Sequence, residues 1–96
     1  MQEKLQIKIK VKIEGFSEIN ELIVNLPLGS RFKDLLDELV ATYGERIRPY
    51  LYNTQTGELG VFMAIVNSDT VRLPQMLDYK MVNGDEVFII SPVGGG

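Results

Sequence analysis

The apolar and polar positions of this chain change period several times, and each change marks an element. Over residues 5–14 the alternation is strict. Leu5, Ile7, Ile9, Val11 and Ile13 take one face; Gln6, Lys8, Lys10, Lys12 and Glu14 take the other. A period of two with β-branched residues on one side predicts a half-buried strand. Gly15-Phe16-Ser17 turns the chain into a second strand over 18–26, whose apolar positions are Ile19, Leu22, Val24 and Leu26. Ile19 and Leu22 differ in parity, which predicts a bulge or a late strand start. Two strands joined so closely form an antiparallel hairpin.

Pro27-Leu28-Gly29 ends that hairpin, and Ser30 is placed to cap a helix. From there Phe32, Leu35, Leu36, Leu39, Val40 and Tyr43 recur at spacings of three and four, with Lys33, Asp34, Asp37 and Glu38 opposite. This is one amphipathic helix, stopped by Gly44. Residues 45–61 carry no clear period and read as extended or irregular, with Asn53–Gly57 a turn-rich loop tip. The run Val61–Val66 is almost wholly apolar and reads as a buried strand. Asn67-Ser68-Asp69 turns it into a short strand, Thr70–Leu73, closed by Pro74. Met76–Met81 connects, with room for one 3₁₀ turn. Asn83-Gly84 is a strong turn signal, and residues 86–91 form the last strand.

The predicted class is α+β: a mixed sheet of about five strands with one main helix packed on one face. Two strands, a helix, then more strands suits a β-grasp (ubiquitin-like) arrangement, with the first strand beside the last at the sheet centre. The 96 residues fit a single domain, 1–96, with residues 91–96 a flexible C-terminal glycine tail.

Composition narrows the chemistry. There is no Cys and no His. That removes disulfides, thiolate chemistry, the usual zinc and iron–sulfur sites, and any His-based acid/base pair. No metal site and no permanently bound cofactor are expected. The net charge of −3 argues against nucleic acid as a partner. No apolar run approaches the ~20 residues of a membrane span, and the N-terminus does not read as a signal peptide. The expected location is cytoplasmic.

The candidate chemistry sits at the chain's end, Ser91-Pro92-Val93-Gly94-Gly95-Gly96. Glycine lets a backbone enter a narrow channel and adopt whatever angles the channel needs. Six residues at ~3.3 Å each reach about 20 Å from the domain body. The group so presented is the Gly96 carboxylate. A chain-terminal carboxyl ordinarily titrates near ~3.5 and is ionised at neutral pH, so acyl chemistry requires its activation first. On the last strand, Val87 and Ile89 share one face and Phe88 and Ile90 the other. If the helix covers Val87 and Ile89, then Phe88 and Ile90 form an exposed apolar pair at the root of the tail, a partner-docking patch. The alternative is that segment 45–61 folds over that pair. Lys8, Lys10 and Lys12 read as a solvated sheet face, or as a contact surface beside the tail. Asp85 and Glu86, being adjacent, point apart and are not an acid/base pair; Asp85 is expected in the Asn83-Gly84 turn.

These residues resemble the ubiquitin-like sulfur carriers of the MoaD/ThiS type, most closely the small subunits of molybdopterin synthase. The resemblance is carried by Gly84-Asp85-Glu86-Val87 with its following apolar residues, then Pro92-Val93 and the terminal Gly95-Gly96. It is carried also by Ile65-Val66-Asn67-Ser68-Asp69-Thr70-Val71 and by the Phe32, Leu35-Leu36, Leu39 helix. Ser91 stands where the family usually has a first proline, Gly94 fills a variable position, and Tyr50–Gly60 is longer than in the shortest members. The resemblance implies a carrier and co-substrate, not an enzyme, with catalytic residues in its partners. A ubiquitin-activating-type enzyme would use ATP to adenylate the Gly96 carboxylate. A sulfur donor would convert the adenylate to a thiocarboxylate. Pro92, Val93, Gly94 and Gly95 would carry it into the large synthase subunit, in a complex with two copies of each subunit. Sulfur carriage for thiamine or tRNA thiolation, and isopeptide modification of proteins, use the same tail and remain open.

Overall fold

A computed structural model describes residues 5–16, 21–53, 55–60 and 62–90. The expected flexible tail, 91–96, and the expected bulge near Ile19 lie outside the described residues. Five strands form one mixed sheet: β1 (Gln6–Ile13), β2 (Leu22–Pro27), β3 (Phe62–Val66), β4 (Asp69–Leu73) and β5 (Glu86–Ile90). Their order is β2-β1-β5-β3-β4. The first and last strands pair in parallel at the centre, and every other pairing is antiparallel. This is the β-grasp arrangement the order of elements predicts.

One helix, α1 (Phe32–Tyr43), covers one face, here called inner. Ile7, Ile9, Val11 and Ile13 of β1 point into it, as the alternation requires, and meet Phe32, Leu35, Leu36 and Leu39 of α1 in a single core. Leu5 departs from the expectation: it precedes the strand and is exposed. β3 also departs. A nearly continuous apolar run reads as buried on both sides, yet only Phe62, Ala64 and Val66 are buried. Met63 and Ile65 share the outer face, which no helix among the described residues covers, and Met63 is 38% exposed.

The helix start is held differently from the sequence expectation. Arg31, not Ser30, is the N-cap. The Ser30 hydroxyl instead donates to the Pro27 carbonyl at 2.7 Å. The first helical amides, which have no partner within the helix, donate to the 76–80 connection: Phe32 N–H to the Tyr79 carbonyl at 2.8 Å and Lys33 N–H to that of Leu77 at 3.0 Å. Asp34 closes the turn by accepting from Arg31 N–H at 2.8 Å, and the Arg31 guanidinium donates to the Asp78 carbonyl. With backbone carbonyls serving the amides, no cap hydroxyl is needed. That connection is a series of turns, without a 3₁₀ helix.

After Gly44 the chain stays helical, contrary to the reading of 45–61 as extended or irregular. A 3₁₀ turn (Gly44–Arg46) leads to a single helical turn, α2 (Arg48–Leu51). Ile47 and Leu51 are buried in the main core, and Tyr50 packs edge-on against Phe16. The segment therefore closes one end of the core and does not cross the outer face. Beyond it Asn53 makes the expected turn, its Oδ1 accepting from Gln55 N–H and Thr56 N–H. No helix among the described residues is long and apolar enough to cross a membrane.

Candidate functional site: the outer face of the central strand

Strand β5 is placed by hydrogen bonds on both edges and by a clamp at its start. Asn83 Oδ1 accepts from Lys8 N–H at 2.8 Å, while Gly84 N–H donates to the Lys8 carbonyl. The turn expected at Asn83-Gly84 is thereby fastened to β1. Asp85 closes that turn as expected, its N–H donating to the Val82 carbonyl at 3.0 Å, but its side chain is buried, 6% exposed. Its Oδ2 accepts from Val82 N–H at 2.8 Å and its Oδ1 from the Asn67 amide at 3.0 Å. Asn67 in turn accepts from Glu86 N–H through Oδ1, and its own N–H donates to the Glu86 carbonyl. Its φ of 57° lies in the left-handed region that Asn tolerates better than most residues. The β3–β4 turn and the entry to β5 are thus one hydrogen-bonded unit.

From that start β5 runs between β1 and β3. Val87 and Ile89 point inward and are buried, Val87 at 3% exposure. Phe88 points outward at 36% exposure, and Ile90 beside it is partly covered. The register sets Phe88 opposite Ile65 and Ile90 opposite Met63. On the other side Lys12 is opposite Phe88 and Lys10 opposite Glu86. A shallow depression of about 270 Å³ is lined by Lys10, Lys12, Ile65, Glu86 and Phe88, among others.

Of the residues singled out in the sequence, the structure brings Phe88 and Ile90 together with Lys10 and Lys12 on one open face. Pro92, Val93, Gly94, Gly95 and Gly96 lie outside the described residues. Sequence reasoning missed Met63 and Ile65 as neighbours of Phe88 and Ile90. Strand parity within 62–66 could have placed them outward; their pairing with β5 is not local and leaves no mark on the sequence.

The fold has close counterparts. The crystal structure of small archaeal modifier protein 1 from Haloferax volcanii superposes with a TM-score of 0.71 at 18% identity, covering 91% of this chain and 99% of that one. A Haloferax volcanii protein solved in solution gives 0.71 at 16% identity over 100% of this chain and 92% of that one. A candidate molybdopterin converting factor, subunit 1, from Pyrococcus furiosus gives 0.62 at 24% identity over 91% and 99%. No curated protein matches the sequence. The sequence profile of the ThiS family does, over residues 12–96. Chains of that type are ubiquitin-like sulfur carriers or modifiers, not catalysts themselves, and normally work with an activating enzyme and a partner subunit. The match runs from the end of β1 through every later element to Gly96, and on that ground the chain belongs to the ThiS family.

Proposed function

We propose that this chain carries sulfur on its C-terminal carboxylate, as the small subunit of a molybdopterin synthase. The observation that carries the reading is the setting of β5. The strand is paired on both sides at the centre of the sheet, presents Phe88 outward, and leads directly in sequence to Ser91-Pro92-Val93-Gly94-Gly95-Gly96. Such a strand gives the segment that follows it a stiff base, with an apolar surface beside that base to fix a partner.

The chemistry lies at one carbon. A Gly96 carboxylate oxygen attacks the α-phosphorus of ATP in the active site of an adenylating enzyme, and pyrophosphate leaves. A persulfide of the sulfur donor then attacks the acyl carbon and AMP leaves; a second thiol of that donor attacks the donor-side sulfur of the resulting acyl disulfide, forms a disulfide with it and releases the thiocarboxylate. Phe88 and Ile90 dock the large subunit, and Pro92, Val93, Gly94 and Gly95 take Gly96 to the pterin precursor. Two sulfurs per pterin call for two carriers, hence two copies of each subunit. ATP is bound by the activating enzyme and not by this chain.

Mass spectrometry of the native C-terminus tests the reading. A population heavier by the difference between sulfur and oxygen is expected, and its absence from cells active in cofactor synthesis would remove the proposal. The likeness to small archaeal modifier protein 1 favours a second reading, attachment of Gly96 to lysines of other proteins. Stable high-mass conjugates in extracts, lost when Gly96 is deleted, would select it.

A further inference from the structure

The chain has four methionines and no Cys, so every sulfur atom it carries is a thioether. Three of the four stand among the described residues, each in a different setting. Met81 is buried in the core. Met76 is half-buried, and its Sδ accepts from Arg72 N–H at 3.3 Å, which occupies a lone pair. Met63 is exposed on the outer face, and no donor among the described residues reaches its Sδ.

The strand register places that free sulfur in an apolar strip. Met63 is opposite Ile90 on β5, and Ile65, two residues on, is opposite Phe88. On its other side Met63 is opposite Arg72, an exposed residue of the edge strand β4. Met63 therefore shares its surface with Phe88 and Ile90, yet stands at the margin where a small oxidant reaches it. Its strand neighbours Phe62 and Ala64 face the core, so a change at the Met63 head group leaves the packing under the sheet alone.

A thioether is converted to a sulfoxide by two-electron oxidants, and the product is polar. A lone pair of Met63 Sδ attacks one oxygen of hydrogen peroxide. The O–O bond breaks and an S–O bond forms. The departing hydroxide takes the proton lost by the transferred oxygen and leaves as water. Sulfur gives up two electrons and the peroxide is reduced. A sulfoxide reductase reverses the change, two thiols becoming a disulfide while the oxygen leaves as water.

We propose that Met63 is a peroxide-sensitive modification site whose sulfoxide takes the apolar strip out of use. A partner closing over the strip would have to strip water from the S–O group, which opposes burial. The site of oxidation stands on exposure and register. Its effect on docking rests on the reading above that this face seats the large subunit.

The test exposes the full chain to dilute hydrogen peroxide and maps the added oxygen by proteolysis and mass spectrometry. Met63 should take oxygen faster than Met76, and Met81 should be last. Met1 lies outside the described residues and is followed in its own peptide. The large subunit is then titrated with each sample. Oxidised parent should show a Kd raised roughly tenfold, with the melting curve of the untreated chain, and sulfoxide reductase should restore the original Kd. Met63→Leu keeps the other methionines, so peroxide should leave its Kd unchanged. If Met76 or Met81 is oxidised before Met63, the site is wrong. If peroxide weakens Met63→Leu as much as the parent, another methionine is responsible and the proposal falls. If Met63 is oxidised first and the Kd does not move, while Phe88→Ala binds weakly, the face docks but Met63 does not control it, and the inference fails alone. If Phe88→Ala also binds like the parent, the docking reading fails and takes the switch with it.

Discussion

Asp85 is a buried carboxylate with a donor aimed at each of its oxygens. Replacing it with Ala leaves Val82 N–H and the Asn67 amide without partners, which should cost about 1–3 kcal/mol for each unsatisfied group. Asn at 85 should not rescue it. Both Asp85 oxygens accept, and the Asn67 amide is held by Glu86 N–H, so an Asn at 85 would set its NH₂ against either the Asn67 NH₂ or Val82 N–H, whichever way it turned. Urea denaturation of both variants checks this, and a loss under ~0.5 kcal/mol in either would contradict the account. Phe88 and Ile89 give a second contrast one residue apart. Ile89→Ala empties fully buried space and should cost about 2–5 kcal/mol. Phe88→Ala should cost about 1 kcal/mol, since the ring is 36% exposed and its cross-strand partner Ile65 holds part of the rest. Tyr52 offers a spectroscopic check on electrostatics. Burial raises its phenol above the ordinary value of 10.0, Asp37 adds to the rise, and Arg48 opposes it. A raised folded value means that the neutral phenol is favoured by the fold. Its contribution is complete below the ordinary value and is lost as pH climbs through the folded one. Alkaline absorbance titration should show Asp37→Asn bringing the Tyr52 transition to lower pH, and Arg48→Ala taking it higher. Of these residues only the Phe88–Ile89 contrast was legible in the sequence, because parity is local and the burial of Asp85 and Tyr52 is not.

At the scale of elements, the segment 44–51 is where local reading failed. Its one helical turn is too short to show a period, and Pro49 in its first turn is as compatible with extended chain as with a helix start. What decides the matter is the core. Ile47 and Leu51 fill it between α1 and the sheet end, so Leu51→Ala should cost about 2–5 kcal/mol, far more than a surface loop would lose. The turn after β1 is bound to the same segment. Gly15 has φ +84°, and a Cβ there would sit 3.3 Å from Tyr50 Cε1. The Tyr50 hydroxyl also donates to the Gly15 carbonyl at 3.2 Å. Gly15→Ala should therefore lose about 1–2 kcal/mol from backbone conformation alone, read as a lower melting temperature. An unchanged melting temperature would mean that the turn relaxes away from α2.

For the whole molecule, the consequence of the topology is a division of labour. Among the described residues the core runs from Ile7 to Ile89, so changes at the last residue should leave it intact. Deleting Gly96, or adding residues after it that no protease trims, should abolish sulfur transfer while leaving the melting curve of the parent. Activity retained by an extended chain would show that the Gly96 carboxylate is not the carrier group.

Everything the sequence determined by itself came from short-range periodicity and turn chemistry. The faces of β1 and β5, the apolar stripe of α1, and the turns at Gly15 and Asn83-Gly84 follow from side chains within a few residues of one another. The family's mark is likewise sequence-borne, in the Gly84–Val87 run and the terminal glycines. The tertiary structure alone decided which strands flank β5, since the parallel pairing with β1 joins opposite ends of the chain. With that pairing came the neighbours of Phe88, Lys12 on one side and Ile65 on the other. It also decided that Leu77 and Tyr79 serve the start of α1, and that Asp85 is interior. The physical reason is the same in each case: a backbone amide or a buried carboxylate is satisfied by whatever the fold brings near it, and distance along the chain carries no record of that meeting.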